Sequence, residues 1–122
     1  MNTTSHLLED SLLLVWNNRN ASERLDLMQK IYAPDIAFFE GNDRAPFVGL
    51  DAINTLISKL QSDWPQDFEF QLQTSRINHQ LQHVSWTLGP KGKEAVAKGI
   101  DIALIEAGKI QSLFLFLDTA TV

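Results

Sequence analysis

The sequence predicts a single α+β domain in which three N-terminal helices pack on one face of a curved, mainly antiparallel sheet. Two observations lead to this prediction. Apolar residues recur at three- and four-residue spacing in the first half of the chain, which is typical of amphipathic helices. From residue 68 onward they alternate or form continuous runs, which is typical of strands. The 122 residues suit one domain, residues 1–122, whose core spans about 7–118.

Three helical patterns occupy the first half, separated by polar breaks. Thr3-Thr4-Ser5 supplies N-cap candidates for a first helix that ends near residue 18. Ser22 is expected to cap a second helix, and Pro34 to end it, because a residue that precedes proline disfavours α geometry. Asp51 is expected to cap a third helix over residues 50–60.

Strand patterns fill the remainder. A short strand is predicted at 35–40, followed by a Gly- and Pro-containing loop at 41–49. Residues 68–75 alternate between apolar and polar side chains, and a turn at 78–80 leads to a strand at 81–88. A second loop at 89–93 precedes the most apolar part of the chain.

Residues 95–117 predict two long strands joined by a tight turn, because Gly108 tolerates the positive φ that such turns need. Around Asp101, one parity of the first strand carries the small residues Ala97, Gly99 and Ala103. We expect this face to line a cavity between sheet and helices. The opposite parity is bulky and is expected to join two copies of the chain into a homodimer through the outer sheet face.

Composition excludes several classes of function. The net charge is −5 and no segment clusters Lys or Arg, which argues against nucleic acid and against an anionic membrane as partners. The chain has no cysteine, which fits a cytoplasmic protein and excludes disulfides and thiolate sites. The N-terminus lacks the pattern of a signal peptide, and no transmembrane helix is expected. His79 and His83 lack metal-site spacing, so we expect no metal and no cofactor.

Four segments, taken in order, resemble the SnoaL-like members of the nuclear transport factor 2-like superfamily. They are IYAPDIAFFEG (31–41), VGLDAINTLI (48–57), WTLG (86–89) and KGIDIALIEAGKIQSLFLFLD (98–118). The resemblance extends over about residues 12–118. It implies a cone-shaped, cystatin-like α+β barrel that binds a small apolar molecule. Members of this fold include isomerases, cyclases, dehydratases and epoxide hydrolases, and also transport factors and assembly domains.

The chain also resembles ketosteroid isomerase, an enzyme of the same superfamily. Aligning the two at APD (33–35) places Glu40 where that enzyme has its carboxylate base, and Asp101 where it has a protonated Asp that hydrogen-bonds an oxyanion. Trp16 stands where it has the oxyanion-hole Tyr. An indole N–H donates a hydrogen bond but cannot transfer a proton.

These comparisons lead to two hypotheses. In the first, the protein is a cofactor-independent isomerase, cyclase or dehydratase with Asp101 and Glu40 as catalytic residues. It requires a cavity on the order of a few hundred Å³ that touches both carboxylates. In the second, the protein is a non-catalytic ligand-binding or assembly domain whose polar groups are satisfied in the core. The aromatic residues expected to line the pocket are Trp16, Tyr32, Phe38 and Trp86, and core packing is the alternative for each of them.

Overall fold

A six-stranded sheet covered by helices forms the molecule in the computed structural model, which describes residues 6–118. The predicted α+β class is therefore confirmed. Helix α1 begins at Leu7–Asp10 and continues as a π-helical turn at Ser11–Val15; the other helices are α2 (Ala21–Ile31) and α3 (Leu50–Asp63). The strands are β1 (Tyr32–Phe39), β2 (Phe47–Val48), β3 (Phe68–Asn78), β4 (Leu81–Pro90), β5 (Ala97–Glu106) and β6 (Lys109–Asp118).

The strand order is β2-β1-β6-β5-β4-β3. Neighbouring strands are antiparallel except for β1 and β6, which are parallel. Register shifts interrupt three ladders, between Tyr32 and Ala37, between Leu72 and Thr74, and between Leu104 and Ile105. Such bulges bend strands and increase their twist, which lets this sheet curve around the helices.

Helix α2 differs from its prediction at both ends. The Asn20 side chain, not that of Ser22, caps it by accepting a hydrogen bond from the Glu23 N–H at 2.9 Å. The helix ends at Ile31, and Tyr32 already has extended backbone angles, so β1 starts three residues earlier than predicted. Pro34 therefore lies inside β1, in the stretch that makes no paired contacts with β6, where its missing N–H costs nothing.

The predicted cap of α3 also needs correction. Asp51 lies in the first turn of α3, where its charge favours the helix dipole, and Gly49 occupies the N-cap position. Gly49 has a φ of +93° and donates its N–H to the Ile36 carbonyl at 2.8 Å, which joins α3 to β1. The candidates Thr3-Thr4-Ser5 lie outside the described residues.

The two faces of β5 differ as its parity predicted. Gly99 and Ala103 are buried on the inner face, and Lys98 is exposed on the outer one. Ala103 belongs to the same buried core as Met28 of α2 and as Ile53 and Ile57 of α3, all fully buried. At the hairpin end Ala107 and Gly108 have φ of +51° and +78°, which matches the tight turn expected there. In residues 6–118, no helix has the length and apolarity needed to cross a membrane.

Candidate active site

A cavity of about 170 Å³ lies between the helices and the inner face of the sheet. It is smaller than the few hundred Å³ expected from the sequence, and its wall is almost entirely apolar. The aromatic part of the wall consists of Trp16, Phe38, Trp64, Phe70 and Trp86; the aliphatic part of Leu12, Leu60, Leu88, Leu115 and Leu117; Glu40 and Asp101 are its two carboxylates.

Asp101 lies on the inner face of β5, between Val84 of β4 and Leu115 of β6. Its Oδ1 accepts a hydrogen bond from the Trp86 Nε1–H at 3.1 Å. Burial among apolar neighbours raises the pKa of Asp101 to about 7, because an ionised carboxylate loses its hydration there, and the bond from Trp86 opposes that rise. Asp101 therefore retains its proton well above the ordinary range of a carboxyl group and can donate a hydrogen bond.

Glu40 directly follows β1 and reaches the same cavity. Its side chain is 24% exposed, and its Oε1 accepts a hydrogen bond at 3.0 Å from the Nη1 of Arg44, which is 59% exposed. Surface pairs of this kind contribute little to stability, so Arg44 can give way to a ligand. The two carboxylates that the sequence singled out thus meet at one cavity with different partners: Asp101 is bonded to the Trp86 indole, and Glu40 to the exposed Arg44.

Trp16, which lines the cavity, is hydrogen-bonded to Tyr32, which does not. The Trp16 Nε1–H donates to the Tyr32 hydroxyl at 3.2 Å, and Ser11 Oγ lies 2.5 Å from the same hydroxyl. Burial raises the pKa of Tyr32 to about 12; the hydrogen bonds from Ser11 and Trp16 oppose this rise, and the nearby charge of Asp101 adds to it. The Trp16 ring therefore lines the cavity while its N–H is already used by Tyr32.

Phe38 and Trp86 line the cavity, but sequence reasoning missed Phe70 and Trp64. Phe70 is the centre of the aromatic wall: its ring centroid lies 5.0 Å from that of Trp86 and 5.8 Å from that of Trp64, both at steep angles. The alternation that placed Phe68, Phe70 and Leu72 on one face of β3 was the available signal. Trp64 directly follows α3.

The side chain of Asn17 fixes the backbone of Phe70. Its Oδ1 accepts from the Phe70 N–H at 2.7 Å and its Nδ2 donates to the Phe70 carbonyl at 3.1 Å. These two hydrogen bonds join the end of α1 to β3, as the bonds from a neighbouring strand would, and they hold the aromatic wall in place. Among residues 6–118 no group of His, Asp and Glu side chains has the arrangement to hold a metal ion.

Solved structures with the same architecture carry SnoaL-like and related names. A SnoaL-like protein from Agrobacterium tumefaciens, provisionally named an isomerase, superposes with a TM-score of 0.81 at 23% identity, over 93% of this chain and 97% of that one. A SnoaL-like protein from Jannaschia sp. CCS1, provisionally named a polyketide cyclase, gives 0.76 at 10% identity over 97% and 91%. A protein from Kribbella flavida, provisionally named a ketosteroid isomerase, gives a TM-score of 0.71 at 14% identity over 95% of this chain and 78% of that one.

No protein-family model matches the sequence, and no curated protein does. The likeness is therefore one of three-dimensional structure, extending over nearly the whole chain at low identity. It does not extend to an activity or a substrate, because this fold serves many functions. The chain has the fold of the SnoaL-like proteins of the nuclear transport factor 2-like superfamily, as the order and spacing of its four motifs predicted.

Proposed function

We propose that the protein is a cofactor-independent acid–base enzyme that acts on a small apolar molecule bearing a carbonyl group, as an isomerase, cyclase or dehydratase. One observation carries the proposal: an apolar cavity touched by two half-buried carboxylates, of which Asp101 is hydrogen-bonded to an indole N–H and Glu40 to an exposed arginine. Pairs of titratable groups whose surroundings differ in this way are typical of acid–base sites. The structural relatives provisionally named isomerase and cyclase add support.

In the proposed reaction Glu40 removes a proton from the carbon next to the carbonyl. The C–H bond breaks, the proton passes to the Glu40 carboxylate, and the electron pair moves onto the carbonyl oxygen. The protonated Asp101 donates a hydrogen bond to that developing oxyanion, where a preorganised donor in an apolar site is most effective. Return of the proton from Glu40 to a different carbon completes an isomerisation.

The size of the cavity points to a small substrate. Its volume is about 170 Å³, and an apolar cavity of roughly 150 Å³ holds one benzene molecule. A single six-membered ring, or an aliphatic chain of similar volume, therefore fits inside. Larger substituents would have to extend past the exposed Leu117.

Glu40→Gln is expected to abolish most of the activity, because the amide cannot accept the proton. A suitable probe is exchange of the α-protons of cyclohex-2-enone in D₂O, followed by proton NMR. The protein should accelerate exchange above the buffer rate, and Glu40→Gln should reduce that acceleration by about 10²–10⁴-fold. Asp43→Asn, which changes an exposed carboxylate close to Glu40 in the chain, is the matched control and should leave the rate unchanged. Equal acceleration by the wild type and by Glu40→Gln would refute the role of Glu40.

One observation favours the alternative, a non-catalytic ligand-binding domain. The Trp16 N–H is bonded to Tyr32 within the protein, as expected of a core residue rather than an oxyanion donor. The same exchange assay separates the two functions. A binding domain would retain cyclohex-2-enone in equilibrium dialysis without accelerating exchange of its protons.

We also propose that two copies associate through the outer face of the sheet. Ile100 and Ile102 of β5 lie beside Phe116 and Phe114 of β6 on this face. Phe116 is 59% exposed, and the Phe39 and Phe114 rings stack with centroids 4.6 Å apart. A contiguous apolar patch on a central part of a sheet is typical of an interaction surface, and a second copy supplies a complementary one.

Phe116→Asp is expected to convert a dimer into a monomer, because the interface would have to bury a carboxylate. Sedimentation velocity at micromolar concentration would show the change in mass. The control is Leu14→Asp, which alters a comparably exposed apolar residue on α1 and should leave the dimer intact. A monomeric wild type would rule out the proposed dimer.

A further inference from the structure

We propose that Trp86 is a positioning residue: it holds Oδ1 of Asp101 so that Oδ2 is the oxygen that carries the proton and meets the ligand. This inference rests on the proposed function for its catalytic meaning. The orientation itself rests on contacts between β4, β5 and β3.

Trp86 reaches Asp101 because of the register of two strands. Trp86 on β4 pairs with Gly99 on β5, and Asp101 lies two residues further along β5 on the same face. Diagonal neighbours of this kind are within reach of a long aromatic side chain. The Trp86 indole extends over Gly99 and places its Nε1 3.1 Å from Asp101 Oδ1.

Gly99 provides the space in which the indole lies. A Cβ at this position would be only 2.6 Å from Cζ2 of Trp86 and 3.1 Å from the Phe116 carbonyl oxygen. Any other residue would therefore displace the ring. On its far side the indole meets Phe70, with ring centroids 5.0 Å apart and an interplanar angle of 85°. The Trp86 indole is thus held between the backbone of Gly99 and the ring of Phe70. Asn17 in turn fixes the backbone of Phe70.

The fixed indole distinguishes the two oxygens of Asp101. An N–H donor aimed at Oδ1 makes this oxygen the acceptor, so the proton of the neutral carboxyl group lies on Oδ2. Among residues 6–118, Trp86 is the only group that hydrogen-bonds to the Asp101 side chain, so Oδ2 is left for a molecule in the cavity. Without the indole N–H, either oxygen of Asp101 could carry the proton, and the Asp101 O–H would no longer be directed toward the molecule in the cavity.

Carboxyl ¹³C NMR of Asp101 tests the contact without reference to any activity. Trp86→Phe keeps an aromatic ring but removes the N–H, and should raise the pKa of Asp101 by about 0.5–1 unit, because the ionised form gains more from this bond than the neutral form. Gly99→Ala should displace the ring and raise the pKa in the same direction. The double variant should show no more than the larger of the two shifts. Trp64→Phe, at the same cavity but without a bond to Asp101, is the control and should leave the pKa unchanged.

The wild-type protein supplies an independent readout if a variant fails to fold. The ¹H–¹⁵N signal of the Trp86 indole should titrate with a midpoint equal to that of the Asp101 carboxyl, and the Trp64 indole signal should not. An unchanged Asp101 pKa in Trp86→Phe, or an indole signal that does not follow Asp101, would overturn the inference. These results are separate from the exchange assay: a confirmed contact together with absent α-proton exchange would refute the proposed enzyme and leave the role of Trp86 in orienting Asp101 intact.

Discussion

Asp101→Asn is expected to stabilise the protein above pH 7 and to have little effect on stability near pH 4. The pKa of Asp101 is about 7 in the folded protein, whereas 3.8 is its ordinary value. Below pH 4 the carboxyl group is neutral in both folded and unfolded chains, so it contributes no pH dependence. Between pH 4 and pH 7 the Asp101 carboxyl group ionises readily only in the unfolded chain, so folding must take up a proton. Stability therefore falls as pH rises through this window.

The size of this effect follows from the shift in pKa. The free energy of unfolding should fall by about 1.4 kcal/mol per pH unit between about pH 4 and pH 7. The total decrease above pH 7 should be at most roughly 4 kcal/mol. Asparagine removes the titration, and its Oδ1 still accepts the hydrogen bond from the Trp86 N–H. Urea unfolding of the two proteins at pH 4, 6 and 8 measures the difference.

Asp26→Asn serves as the control, since Asp26 is an exposed carboxylate on α2 and its removal should give no comparable gain at pH 8. If Asp101→Asn were equally stabilising at pH 4 and at pH 8, Asp101 would not be the titrating group. In the exchange assay, Asp101→Asn should retain most activity, because its amide N–H can replace the neutral O–H as a donor.

Arg24→Met is expected to destabilise the protein by about 3–5 kcal/mol, because more than one buried acceptor loses its donor at once. Arg24 is 0% exposed. Its guanidinium donates to Asn54 Oδ1 at 2.7 Å, to Gln61 Oε1 at 2.8 Å and to the Asn18 carbonyl at 2.8 Å; it also bonds to the Asn54 carbonyl at 3.3 Å and to Ser58 Oγ. These bonds tie α2 to α3 and to the loop after α1.

Methionine matches the length and apolar stem of Arg24 but leaves Asn54 Oδ1 and Gln61 Oε1 without the donor that Arg24 supplies, and each unsatisfied buried group costs about 1–3 kcal/mol. Chemical denaturation monitored by circular dichroism gives the change. Arg44→Met is the matched control: it removes an exposed arginine with a surface ion pair and should cost less than about 1 kcal/mol. A loss at Arg24 no larger than that at Arg44 would show that the network contributes little.

The fold was predictable because most of its elements carry a local signal. The Gly108 turn and the alternation around Asp101 predicted the β5–β6 hairpin and which of its faces is buried. Errors fell at helix ends, where one hydrogen bond decides the outcome: Asn20 rather than Ser22 caps α2. The parallel pairing of β1 with β6 joins strands about 75 residues apart and has no local signature.

The site was predictable in part. Sequence reasoning selected Glu40 and Asp101, and the fold brings both to one cavity. It missed Arg24, although Arg24 lies four and seven residues before Met28 and Ile31, on the buried face of α2. A charged residue at such a position is normally assigned to the surface, since arginine is rarely fully buried without partners. Its partners come from α3 and the loop after α1, which only the packing of helices reveals.

The sequence by itself determined the class of the fold, the two faces of β5 and the presence of a carboxylate on the small one, because these follow from local periodicity along a single strand or helix. The tertiary structure decided which hydrogen bonds the polar groups of the site make. Trp16 donates to Tyr32 rather than to the cavity, and Trp86 donates to Asp101 across Gly99. These choices depend on the register between strands and on the space left by one missing side chain, and neither is encoded within a single segment of the chain.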